Sequence, residues 1–339
     1  MNQPINQILG RVLMLALPLF LTSCDELIGE LDNLAPSPVV PTPEPTPAKT
    51  YRVYTSGTAC SDEPIPAGAT TVKSSAADVT WSAGTYVVSS DASISGDITL
   101  TGNVNLILCD GAELKVNGRI VGGDKSLNIY GQEAGTGKLT MDGCGGDYNI
   151  YVKDLQIHGG DISGTNSDQA LFTNGTLKIY HGNISATAGS YGLVANGNLS
   201  IYGGTITASS TAADAVFVKN ASMEMTGGSL TATATASGTA GVKVDHDIDI
   251  FGGTIEATAD GSNGTGIKSN IDYYGGAIVA TGGPGGGRGI SGKLSNKLED
   301  GVTIQIKYDG DPSWASGSMA EGTSVVFGDA SPRYVKVNM

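Results

Sequence analysis

Over roughly residues 100 to 290 apolar and polar positions alternate in short runs separated by glycine, asparagine and serine. One stretch shows the pattern: Leu177-Lys-Ile-Tyr180, then Asn183-Ile-Ser-Ala-Thr187, then Tyr191-Gly-Leu-Val-Ala195. Alternation of this kind marks a strand with one buried face. The runs are too short for helices, and no apolar stripe of helical period crosses them.

The runs recur as a unit. Six segments align on a glycine pair or its equivalent: Ile157-His-Gly-Gly160, Ile179-Tyr-His-Gly182, Ile201-Tyr-Gly-Gly204, Met225-Thr-Gly-Gly228, Ile250-Phe-Gly-Gly253 and Tyr273-Tyr-Gly-Gly276. Their last residues step by 22, 22, 24, 25 and 23 positions. Weaker copies lie upstream at Leu127-Asn-Ile-Tyr-Gly131 and Leu106-Ile-Leu-Cys109. Three strands in so few residues cannot bury their apolar face alone, so each unit must stack on the next. The pattern predicts an all-β fold, a right-handed parallel β-helix with three strands per coil. A β-propeller is the rival, but its blades need about 40 residues. Glycine is expected at the corners, where φ turns positive.

The alignment predicts three inward columns. Leu155, Leu177, Leu199, Met223, Ile248 and Ile271 form the first. Ile162, Ile184, Ile206, Leu230, Ile255 and Ile278 form the second. Leu171, Leu193, Val216, Val242, Ile267 and Ile290 form the third. Within a 51–339 body, residues 51–95 fit the repeat poorly and are expected to be an N-terminal cap over coils spanning 96–299. Residues 300–339 are expected to close the other end with strands at Thr303-Ile-Gln-Ile-Lys307, Ser324-Val-Val-Phe327 and Tyr334-Val-Lys-Val337.

Composition adds an address. Residues 1–23 read as a lipoprotein signal peptide: Arg11, an apolar run from Val12 to Leu21, then Leu21-Thr22-Ser23-Cys24. The run is too short to span a bilayer as a helix. Small residues before a cysteine resemble the bacterial lipobox, which implies Cys24 as lipid anchor. Residues 24–50 read as a tether. Asp25, Glu26, Glu30 and Asp32 resemble the surface-export signal of Bacteroidetes lipoproteins, and equally read as a solvated spacer. Pro36, Pro38, Pro41, Pro43, Pro45 and Pro47 make the rest extended and semi-rigid. The expected location is the outer membrane, lipid-anchored and surface-exposed, with a periplasm-facing anchor as the alternative.

The 33 acidic residues outweigh 19 basic ones, a net charge of −14. Nucleic acid and anionic membrane surfaces are therefore excluded as partners, leaving the membrane contacted through the anchor alone. The chain is expected to be a monomer. Beyond Cys24, the cysteines are Cys60, Cys109 and Cys144. Cys109 is placed in the outward ring column and Cys144 in a turn, so no bond is expected between them.

Aromatic residues are only 6% of the chain, yet one outward column reads Tyr130, His158, Tyr180, Tyr202, Thr226, Phe251, Tyr274. Rings spaced by one coil suit the C–H faces of pyranoses, and this column is the candidate ligand site. Mutual stacking over the glycine corner explains the same pattern. A second outward column brings Glu224, Asp249 and Asp272 to adjacent coils, flanked by Asp245 and Asp247. Carboxylates so close are a candidate calcium site, or a solvated acidic surface. They would also suit a retaining glycosidase. The other parts of an enzyme are missing: no Asp-Asp pair and no Arg-x-Lys accompany them, and of the arginines only Arg288 falls within the regular, strongly repeating coils. No catalytic residue is assigned, and a polysaccharide lyase or hydrolase is the weaker reading.

Two further columns have structural readings. Outward Ser/Thr pairs from Ser163-x-Thr165 to Thr231-x-Thr233 resemble the ice-binding face of β-helical antifreeze proteins, but Glu256 and Val279 interrupt them. Asn174, Asn196, Asn220 and Asp245 share one turn, resembling the asparagine ladder of pectate-lyase-like helices.

Finally, Ser126-Leu-Asn-Ile-Tyr-Gly-Gln-Glu-Ala-Gly-Thr-Gly-Lys-Leu-Thr140, the Gly-Gly-x-Ile repeats and Arg333-Tyr-Val-Lys-Val337 together form a broader match. They resemble the β-helical carbohydrate-binding-type domains of bacterial surface proteins, in the pectate-lyase-like superfamily. The resemblance implies binding of plant-type or acidic polysaccharides, sometimes with calcium. The expected function is a surface-anchored, non-catalytic polysaccharide-binding lipoprotein. The alternative is a structural or adhesive surface protein that contacts host or neighbouring cells.

Overall fold

The structure, a computed structural model, describes residues 50–144, 146–298, 302–328 and 331–338. The signal peptide, Cys24 and the acidic and proline-rich tether up to residue 49 lie outside the described residues. Every regular element described is a strand, and the strands wind into a parallel β-helix of about nine turns.

Each coil supplies three strands, illustrated by Leu155–Ile157, Asp161–Asn166 and Gln169–Thr173. Each pairs in parallel with its counterpart one coil on: Leu155 with Leu177, Ile162 with Ile184, Leu171 with Leu193. All three inward columns hold their sequence-predicted register through Ile271, Ile278 and Ile290. Their members are buried, most of them completely. Stacked Leu, Ile, Met and Val fill the bore because like side chains one rung apart, ~4.8 Å, interlock at close packing.

The corner after strand one shows why glycine repeats. The second glycine of each pair, from Gly160 to Gly276, has φ between +79° and +107°. Only glycine adopts that region without strain. The first glycine meets a different demand: a Cβ on Gly203 would lie 2.6 Å from the Tyr180 carbonyl oxygen.

Turns are tied from coil to coil by short acidic and amide side chains. Asp97 Oδ1 accepts from the Arg119 amide at 2.8 Å, and Asp154 Oδ1 from Thr176 at 2.8 Å. Asp214 Oδ1 accepts from Ala240 at 2.7 Å, and Asn270 Oδ1 from Lys293 at 3.1 Å. These bonds satisfy N–H groups that a tight turn would otherwise orphan. The expected asparagine ladder takes a different form. Asn174 Nδ2 donates to the Tyr151 hydroxyl at 2.8 Å, and the Asn220 amide donates to Asp245 Oδ2 at 3.0 Å. Asn220 sits at φ +56°, where asparagine is tolerated.

The ends differ from the sequence expectation at the front and match its strands at the back. Residues 70–94 already belong to the stack: Thr70 pairs in parallel with Tyr86, Val79 with Ile98 and Ala92 with Leu114. Coils therefore begin well before residue 96. Strands Thr50–Tyr54 and Cys60–Pro64 form an antiparallel hairpin that lies on the flank of the coils, not across the first one. At the other end Tyr334–Asn338 pairs antiparallel with Ala277–Thr281, and Ser324–Phe327 with Arg288–Asn296. These antiparallel strands cover the last rungs of two faces, where unpaired edge groups would invite association.

Candidate functional site

The ring column follows directly from strand one. Each ring is the residue after the last inward side chain, as in Ile157-His158, Ile179-Tyr180 and Ile201-Tyr202, so it faces out beside the glycine corner. Tyr130, His158, Tyr180 and Tyr202 stack in one run, with centroids 4.7, 4.5 and 4.8 Å apart and planes within 10° to 15°. Exposed Thr226 ends the run. Phe251 and Tyr274 then stack as a pair at 4.4 Å, and Phe251 is 48% exposed. Nearly parallel rings at this distance cover one another's faces and present edges to solvent.

The hairpin covers much of the longer run. Tyr51 packs edge-on against Tyr130 at 4.9 Å, and Tyr54 stacks on His181 at 4.8 Å. Gln132 Nε2 donates to the Thr50 carbonyl at 2.7 Å. Gly57, in the hairpin turn, approaches Tyr202 and Gly203 so closely that a Cβ would collide with the Tyr202 carbonyl. His158 is therefore only 5% exposed. Its Nδ1 accepts from the Tyr54 amide at 3.1 Å.

Burial pushes the His158 pKa down to about 4 and the Tyr130 phenol up to about 12. For His158 the direction fixes a pH dependence. The unfolded imidazole takes a proton near pH 6.5, while the folded one resists until about pH 4. The stability it contributes is complete above pH 6.5 and is lost as pH falls towards 4. The size is at most about 3 kcal/mol. We expect the melting temperature of wild type to fall more steeply across that window than that of His158→Phe, which keeps the ring stack without the titration. Parallel pH–melting curves for the two proteins would refute this.

The acidic column keeps its expected register, with Glu224 beside Asp249 and Asp249 beside Asp272. Three of the five carboxylates have partners of their own. Asp272 pairs with Lys297 at 3.3 Å, Asp247 Oδ1 accepts from Asn270 Nδ2 at 3.1 Å, and Asp245 holds the Asn220 amide. Burial, followed by the charges of Asp272 and Asp247, raises the Asp249 pKa. Among the described residues no group of three His, Cys, Asp or Glu side chains converges to hold a metal ion. Glu224, Asp249, Asp272, Asp245 and Asp247 thus occupy neighbouring rungs as an acidic surface, with Asp249 within reach of the charges of Asp272 and Asp247.

Two smaller expectations also change, and a third holds. The ring-column position one coil before Tyr130 is Ile107, so Cys109 lies two residues beyond it, as a buried free thiol. Arg119 falls within the coils and clamps Asp97 through Nη2 at 2.6 Å. The hydroxyl face pairs Ser163, Ser185, Thr207 and Thr231 in succession, then breaks at Glu256 and Val279.

The outward face of strand three holds a second aromatic group, which the sequence reading passed over. One column runs Tyr151, Phe172, Val194, Phe217, Lys243, and its neighbour contains Tyr148, Gln169 and Tyr191. Tyr148 lies 4.9 Å from Tyr151 and 5.0 Å from Phe172, and Tyr191 lies 5.9 Å from Phe217. Phe172 is tilted 48° from Tyr148 and 58° from Tyr151. Lys243 Nζ sits 4.1 Å over the Phe217 ring and 3.8 Å from Asp214. The signal was present in the alignment: Phe172, Val194 and Phe217 directly follow the inward Leu171, Leu193 and Val216.

Comparison with known protein families, with curated proteins and with solved structures returns no match for this chain. The part of the resemblance that stands is the architecture, a repeating parallel β-helix seen directly in the strand pairing.

Proposed function

We propose that the protein is a surface-anchored, non-catalytic polysaccharide-binding lipoprotein, held at the outer membrane by Cys24. One observation carries the reading: in a chain with 6% aromatic residues, the rings gather on the outside of the coils in rows one rung apart. A β-helix suits a polysaccharide-binding or adhesive role in general. Rows of rings favour the former, because a polymer of sugar rings can repeat a stacking contact along a repeating surface. Within the row nominated from sequence, the exposed Phe251 and its partner Tyr274 remain open, whereas Tyr130 and His158 lie under the hairpin.

A glycan array probed with the full chain tests the proposal. The expected outcome is retention on a defined polysaccharide. Binding only to protein-coated or cell-derived protein surfaces would favour the adhesive alternative.

A further inference from the structure

The two aromatic groups differ in what they leave open. In the column beside the glycine corner, rings lie within 15° of parallel and cover one another. Part of that run lies beneath the hairpin. On the face of strand three the hairpin makes no described contact; Tyr148 stacks on Tyr151 with planes 24° apart and Tyr191 on Phe217 at 26°, but Phe172 does not join either stack. Phe172 stands 48° and 58° away from its two neighbours, so its face is not matched to either ring. Tyr148, Phe172, Tyr191 and Phe217 are each half-buried, anchored by their inner edges yet reachable from outside. Tyr151 is held by Asn174 at 2.8 Å, and Phe217 by the Lys243 ammonium. Rings fixed before a ligand arrives lose little freedom on binding.

Carboxylates lie close to the tyrosines of this face, and the cations near them are already paired. Asp147 and Asp168 lie close enough to Tyr148, and Asp168 and Asp214 to Tyr191, to raise those phenols after burial has done so. Lys243 is engaged by Asp214 and Phe217, and Arg119, whose side chain lies against Gly146, is engaged by Asp97. Carboxylates accept hydrogen bonds and repel other anions. A partner rich in hydroxyl donors and apolar ring faces, carrying no negative charge, matches this surface.

We propose that the outward face of the third strands, over the four coils from Tyr148 to Phe217, binds a neutral polysaccharide along the helix axis. Tyr148, Phe172, Tyr191 and Phe217 stack on pyranose faces. Asp147, Asp168 and Asp214 accept hydrogen bonds from sugar hydroxyls. The inference rests on the polysaccharide-binding reading and narrows it: the site moves to another face, and the ligand is neutral where the family resemblance implied acidic sugars as well.

The test is affinity electrophoresis of the full chain in gels containing xyloglucan, galactomannan or mixed-linkage β-glucan, with polygalacturonate as the acidic comparator. Wild type should be retarded by at least one neutral polymer, with little change on adding salt, and not by polygalacturonate. Phe172→Ala combined with Phe217→Ala should weaken that binding by about tenfold or more. Thr231→Ala, on another face, should not. Both rings point outward, so circular dichroism should show folded protein, and Phe172→Tyr with Phe217→Tyr should retain binding if ring stacking is the cause. Retardation by a neutral polymer that the alanine pair leaves intact, or that Phe251→Ala removes instead, overturns the site while leaving the polysaccharide reading standing. Retardation by polygalacturonate alone overturns the neutral ligand. No retardation by any polysaccharide overturns the site and the broader reading together.

Discussion

Ile206→Asp is expected to destabilise the fold by about 4–5 kcal/mol or more, enough to leave little folded protein. Ile206 is fully buried and stacked between Ile184 and Leu230. An aspartate there would place a charge in a bore lined above and below by aliphatic side chains, with no cation to meet it. Thr207, one residue on, faces outward and is exposed. Thr207→Asp should therefore stay within about 0.5 kcal/mol of wild type. The pair makes a strict test because strand side chains alternate with period two, and a slip of one residue would exchange their effects. Urea denaturation of both variants gives the answer. Equal stability, or the greater loss at Thr207, would show the register to be wrong.

Gly204→Ala carries the next largest expected effect, about 2–4 kcal/mol. Two causes combine. Gly204 has φ +83°, which an L side chain adopts only with strain. Its added Cβ would also lie 2.7 Å from the Gly182 carbonyl oxygen one coil back. The backbone cannot give way there without parting two rungs. Gly317 supplies the contrast, because nothing lies within 4 Å of its would-be Cβ and its φ is unremarkable for other residues. Gly317→Ala should change stability by no more than about 0.5 kcal/mol. Similar losses for both variants would remove the corner geometry as the explanation for the repeated glycines.

The inward columns were readable from sequence because alternation is a local property and the repeat multiplies it. Eighteen positions from Leu155 to Ile290 fall in register for that reason. Where alternation fades, so did the reading. Val104-Asn-Leu-Ile-Leu108 is apolar at nearly every position, and the coil before Tyr130 was aligned two residues off. The hairpin was hidden for a different reason. Its second strand, Cys-Ser-Asp-Glu-Pro, is fully exposed and rich in residues that disfavour strands, and the docking of the pair on residues 130–203 depends on ring contacts far away in sequence. The candidate site was half legible. The column of rings was visible, but its mutual stacking and burial depend on three-dimensional neighbours. The strand-three group was obscured because Val194 and Lys243 interrupt its aromatic pattern.

The flank hairpin also changes how the molecule should come apart. A solenoid is close to a one-dimensional array, in which each coil feels only the coils above and below and unfolding can fray inward from an end. The hairpin touches four successive coils, from Tyr130 through His158 and His181 to Gly203. It therefore couples units that are not nearest neighbours. Those coils gain a shared opening free energy, so the solenoid carries one cooperative block along its length, with independently fraying coils on the side beyond it.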